Sequence, residues 1–138
     1  MPLPTWSVAC TMLGTPAGLA PFVAHHLAQP VRAVHVFLDR LEPDVAALFA
    51  KAGPRLQVTV CDDAWWARRP GGRPDKIFLR QYWNTETARL ASDADWMGHI
   101  DADEFLVPDV PGGPAFADSL ARVPTGIDWV RIGHRERV

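Results

Sequence analysis

Three carboxylates fall within four residues at Asp101-Ala102-Asp103-Glu104, and like charges that close need a physical reason. If an extended backbone runs through them, Asp101 and Asp103 project to the same side, with backbones roughly 6–7 Å apart. Two carboxylates brought to about 4 Å repel by roughly 4 kcal/mol at an effective dielectric near ~20. A divalent cation removes that cost. Mg2+ or Mn2+ prefers oxygen ligands and keeps positions open for water and phosphate oxygens. The chemistry such an ion serves is neutralisation of the charge that develops on a departing diphosphate. The competing reading is a solvated turn in which aspartates cap backbone amides. Ile100 before the acids and Phe105-Leu106-Val107 after them are apolar, so the carboxylates are expected to be held between anchored segments.

Other residues could also do chemistry. His25-His26 suggests metal binding by type, but neighbouring residues on a helix point in different directions, so one buried and one surface histidine is expected. Trp65-Trp66 with Arg68, Arg69 and Arg73 could close over a diphosphate, a sugar or a base; tryptophans tucked onto the body of the protein are the plainer reading. Cys10 and Cys61 form no Cys-x-x-Cys pair and read as buried, reduced thiols. No dinucleotide fingerprint, phosphate-binding Walker loop, nucleophile elbow or Cys/His metal set occurs in the sequence. Asp101-x-Asp103 also matches the start of a phosphatase motif whose first aspartate is a phosphoryl nucleophile. Phe105 stands where that motif has Thr or Val, and no comparable core follows.

These residues need elements to position them. Trp6 to Met12 reads as a strand ending before Gly14. Thr15-Pro16 then reads as an N-cap with proline in the first turn. Leu19, Phe22, Val23 and Leu27 have helical spacing, so Pro16 to about Ala28 is a predicted helix despite Pro21. Ala33 to Leu38 is an apolar run ending at Asp39, the pattern of a strand buried on both faces. A helix from Pro43 to Gly53 and a strand from Leu56 to Cys61 follow, and Asp62 to Asp75 reads as a long loop. Lys76 to Ala91 reads as a helix and Asp95 leads into a strand that runs straight to Asp101. A short helix from Ala115 to Arg122 and a fifth strand from Trp129 to Ile132 complete the alternation. The fold class expected is α/β, with a mostly parallel sheet flanked by helices in one domain spanning 1–138. Ligands of such sheets sit beyond the carboxyl ends of the strands, where Gly14, Asp39, Asp62 and Asp101 fall.

Composition excludes several classes. The net charge of -2 carries no basic stripe, so nucleic acid is not an expected partner. No apolar run approaches the ~20 residues of a bilayer span, and the start of the chain lacks the features of a signal peptide. The expected location is cytoplasmic, or peripheral at the inner membrane face.

The stretch Asp95-Trp96-Met97-Gly98-His99-Ile100-Asp101-Ala102-Asp103-Glu104-Phe105-Leu106 closely resembles the DW…DxDEFL signature of family 2-like GT-A glycosyltransferases. Val8-Ala9-Cys10-Thr11-Met12, Phe22-Val23-Ala24-His25-His26-Leu27 and Val34-His35-Val36-Phe37-Leu38-Asp39 are similar to that family's earlier segments, in order and at similar spacing. The resemblance covers most of residues 6–107. It implies a GT-A-like (Rossmann-like) fold, truncated after the DxD region, that holds the donor-binding portion. It implies transfer of a sugar from a UDP- or GDP-type nucleotide-sugar to the hydroxyl of a glycan or glycoconjugate, with Mn2+ or Mg2+. Asp101 and Asp103 would form the DxD, Asp103 being the more direct metal ligand, and Asp39 would contact the donor nucleoside. Arg80, Gln81 and Asn84 are similar to the family's helix before the DxD, so Arg80 would approach donor phosphates and Asn84 would order the site.

The sequence departs from the family at Leu13-Gly14-Thr15-Pro16, at Pro21-Phe22 and at Leu41-Glu42-Pro43-Asp44. None of Asp109, Asp118, Asp128, His134 and Glu136 lies in a catalytic-base motif. A domain that binds metal-nucleotide without turnover is the alternative expectation.

Overall fold

A computed structural model describes residues 2–41 and 43–136. The strands are β1 (Trp6–Gly14), β2 (Val34–Leu41), β3 (Leu56–Val60) and β4 (Trp96–His99). They form one sheet in the order β3-β2-β1-β4, parallel throughout. The helices are α1 (Pro16–Leu27), α2 (Pro43–Ala50), α3 (Asp63–Ala67), α4 (Ile77–Ala91) and α5 (Phe116–Ala121). The chain is therefore an α/β protein with a four-stranded parallel sheet flanked by helices, compatible with a Rossmann-like arrangement. Among the described residues no helix is long and apolar enough to cross a membrane.

The central strands β1 and β2 are mostly apolar because both faces of the sheet are covered there. Val8, Cys10 and Met12 on β1 and Val34, Val36 and Leu38 on β2 share one face with Leu19 and Phe22 of α1, Val45 of α2 and Leu120 of α5. Side chains of the other parity, Ala9 on β1 and Phe37 on β2, meet Trp65, Trp66 and Ala88 of α3 and α4 on the opposite face. Asp39 has the parity of Phe37, so it projects toward the side occupied by α3 and α4.

Local chemistry sets the boundaries. Thr15 accepts a hydrogen bond from the Gly18 N–H at 3.4 Å and Pro16 opens α1. Pro21, exposed, cannot donate to the Ala17 carbonyl, yet the helix runs through it. Gly14 lies where the β1–β2 register shifts, and a Cβ there would meet the Arg40 carbonyl oxygen at 2.5 Å. Only glycine permits that approach of the two strands. The departure at residues 41–44 includes Glu42, which lies outside the described residues.

Two expectations require correction. The segment from Asp62 is not all loop: Asp62 accepts from the Trp65 N–H at 2.9 Å and caps α3, whose Trp65 and Trp66 are buried. The aromatic pair is thus packing material, and Arg68 lies 4.6 Å over the Trp65 ring. The fifth strand does not form. Trp129 to Ile132 has no regular secondary structure, and Trp129 is 78% exposed. Its strand propensity finds no ladder partner among the described residues, and β-propensity is expressed through packing on a neighbouring strand.

Candidate functional site

The chain winds from β1 outward to β3 and then returns to the other side of β1 to place β4. The direction of winding therefore switches between β1 and β4, and the crevice of an open α/β sheet lies outside the carboxyl ends at such a point. Ile100 is buried, and its N–H bonds the Ala9 carbonyl at 3.1 Å, extending the β1–β4 pairing by one residue. The next residue is Asp101. The acidic cluster thus emerges at the switch point.

Its conformation differs from the extended run expected from the sequence. The strand ends at His99, and Asp101 to Glu104 form a turn closed by the Glu104 N–H and the Asp101 carbonyl at 3.0 Å. Glu104 Oε2 also accepts from the Asp101 N–H at 3.0 Å. The alternation of a strand therefore does not set the relation of Asp101 to Asp103. An acidic side chain reaching back to a backbone amide three residues earlier competes well with strand geometry that has no outer neighbour. This Glu104 contact has a signal in the sequence, the Asp-x-x-Glu spacing of a reciprocal cap.

Asp101 is half-exposed; its Oδ1 accepts from Gln81 Nε2 at 3.2 Å and lies 3.9 Å from His99 Nε2. Asp103 is exposed and makes no hydrogen bond or ion pair among the described residues. Beneath the turn, the Cys10 thiol is pushed up to about 12, by burial first and then by the charges of Asp101, Asp103 and Glu104. All three carboxylates thus act on one point of β1. Among the described residues no group of three or more His, Cys, Asp or Glu side chains is placed to hold a metal ion.

A second group lies at the end of β2. Asp39 Oδ2 is 3.6 Å from Arg80 Nε and 3.7 Å from Arg73 Nη2. Asp39 and Arg80 are only 11% and 12% exposed at their side chains, whereas Arg73 is 50% exposed. Arg80 Nη1 donates to the carbonyls of Pro74 and Asp75 at 2.9 and 3.0 Å, so α4 staples the end of the connecting segment. Asp39 Oδ1 is buried with no hydrogen-bond partner among the described residues, an acceptor left open. Asn84 is fully buried. It donates to Thr11 Oγ1 at 3.0 Å and accepts from Trp65 Nε1 at 3.0 Å, joining β1, α3 and α4 below the crevice.

The structure therefore brings together Asp39 with Arg80, and Asp101 with Gln81, both through α4. His99 joins the site as well, and it carries no spacing signal of its own in the sequence. A separate hollow of ≈ 470 Å³ lies at the amino-terminal end of the sheet, lined by Thr5, Pro30, Val31, Arg32 and Arg55. Its arginines hold Asp93 and the carbonyls of Leu27, Gln29 and Val31, so they serve the fold.

No protein-family model matches the chain, and neither the curated proteins nor the solved structures gave a significant match.

Proposed function

We propose that this chain binds a nucleotide diphosphate-sugar with Mn2+ or Mg2+ and supplies the donor-binding part of a GT-A-type glycosyltransferase. The observation that carries this reading is the emergence of Asp101 and Asp103 at the β1–β4 switch point, in an exposed turn anchored on a buried strand end. Asp101 and Asp103 would hold the ion, which supplies charge neutralisation at the diphosphate. Asp39, with Oδ1 unpartnered among the described residues, would accept a hydrogen bond from the nucleoside. Arg73, the more exposed cation beside it, would face the phosphates, with Arg80 holding Asp39 in place. Gln81 orients Asp101, and Asn84 orders the helix that carries Arg80 and Gln81. The acceptor in this reading is the hydroxyl of a glycan or glycoconjugate, and no residue is assigned as its base.

Calorimetry with UDP and GDP tests the proposal. We expect affinity that requires Mn2+ or Mg2+ and that falls by more than about tenfold in Asp103→Ala, since even outer-shell changes at metal sites reach that size. Nucleotide affinity indifferent to metal, or to Asp103→Ala, would remove the metal role. Binding without hydrolysis or transfer of a UDP-sugar would mark a domain that binds but does not turn over.

A further inference from the structure

The chain that leaves the acidic turn runs beside no strand among the described residues, yet Leu106 is 8% exposed and belongs to the main core. Its backbone N–H and C=O therefore need partners. Side chains of α1 provide them. The Leu106 N–H donates to His26 Nε2 at 3.3 Å, and the Leu106 carbonyl accepts from His25 Nε2 at 2.7 Å and from Gln29 Nε2 at 3.1 Å. His26 Nδ1 in turn donates to the Phe22 carbonyl at 2.8 Å. This pattern assigns the protons: His26 is neutral with hydrogen on Nδ1, and His25 carries hydrogen on Nε2. Burial also holds the His26 pKa below its ordinary 6.5, which favours the neutral ring.

One histidine is in the core as expected, but the other is not at the surface. His26 is buried, His25 is half-buried, and both reach Leu106. Their rings meet edge to face at 4.9 Å, and Phe105 stands edge-on to His25 at 5.2 Å and parallel to His26 at 6.2 Å. The acidic turn is thus strung between two fixed points. Ile100 is held by β1, and Leu106 is held by the two histidines.

We infer that His25 and His26 are positioning residues that set the conformation of the Asp101–Glu104 turn by gripping both polar groups of Leu106. The consequence for ion binding rests on the reading of Asp101 and Asp103 given above; the consequence for the turn does not. A histidine that merely filled space would tolerate any replacement of similar volume. Here the two ring nitrogens have separate duties. Glutamine at 26 can present an acceptor near the Nε2 position, and asparagine can present a donor near the Nδ1 position.

Amide hydrogen exchange by NMR, with Mn2+ titration as a second readout, separates these duties. In His26→Gln we expect protection of the Leu106 and Glu104 amides, and Mn2+ affinity, within about twofold of the parent. In His26→Asn both amides should exchange roughly tenfold faster or more, and Mn2+ should bind about tenfold more weakly. Parent-like exchange at Leu106 and Glu104 in His26→Asn would overturn the inference. If that variant does not fold, the imidazole nitrogen shifts of the unsubstituted protein decide. A neutral Nδ1–H ring at His26 supports the grip, and an Nε2–H ring overturns it. If the unsubstituted protein binds no Mn2+, the metal reading fails and the exchange measurement alone judges the histidines.

Discussion

Single residues at this site answer to more than one element at a time. Asn84 is the clearest case. Its amide satisfies Thr11 on β1 and the Trp65 indole on α3 from a position on α4 with no solvent access. Asn84→Leu leaves a hydroxyl and an indole N–H without their partner, at about 1–3 kcal/mol for each buried group so orphaned. We expect a loss of about 2–4 kcal/mol in urea denaturation, and a loss below about 0.5 kcal/mol, the size of an ordinary surface change, would contradict this role. Arg80 is similar. A cationic residue on a helix reads from sequence as a phosphate contact or a solvated face. The fold directs it to Asp39 and to two loop carbonyls, because the parity of β2 turns Asp39 toward α4.

At the scale of elements, the contrast is between those with partners on both sides and those with none. β1 pairs with β2 along one side and β4 along the other, and both of its faces are buried. Residues 123–136 form no helix or strand. Native-state exchange should therefore find β1 amides opening only near the global unfolding free energy, and amides of residues 127–132 exchanging near the free-chain rate. Protection of 127–132 comparable to β1 would mean that the segment does pair in solution. The same contrast explains what was legible. Strands β1 to β4 and helices α1, α2, α4 and α5 announce themselves through apolar spacing and caps such as Thr15-Pro16. α3 escaped because five residues are too few for periodicity, and only the Asp62 cap marks it. Trp129 to Ile132 has the composition of a strand, but composition does not supply a neighbour.

Across the whole molecule, two histidines make stability depend on pH. His26 and His35 both have pKa values lowered from 6.5 by burial. His25 is the charged-capable neighbour that lowers His26 further, and His35 Nε2 has no hydrogen-bond partner among the described residues. Below 6.5 the unfolded chain takes up protons that the folded one resists, so stability falls as pH drops from there toward the folded values and is fully present above. We expect the urea midpoint to decline between about pH 7 and about pH 5. His26→Gln should flatten part of that slope, and a midpoint unchanged over the interval would show that neither ring is held neutral.

The sequence alone determined the class of this protein, α/β with parallel strands, and the places where most of its elements start. Those features arise from neighbours in the chain: spacing of apolar side chains, a threonine followed by proline, an aspartate at a strand end. It also singled out Asp101 and Asp103, since three acids in four residues are conspicuous anywhere. Only the tertiary structure decided the strand order β3-β2-β1-β4, and hence that these acids emerge at a switch point. Only it joined Asp39 to Arg80 and brought His25 and His26 onto Leu106. The Asp39–Arg80 and histidine–Leu106 contacts join residues some 40 to 80 positions apart in the chain. Local propensity carries no record of such distances; they follow from which faces the sheet must bury.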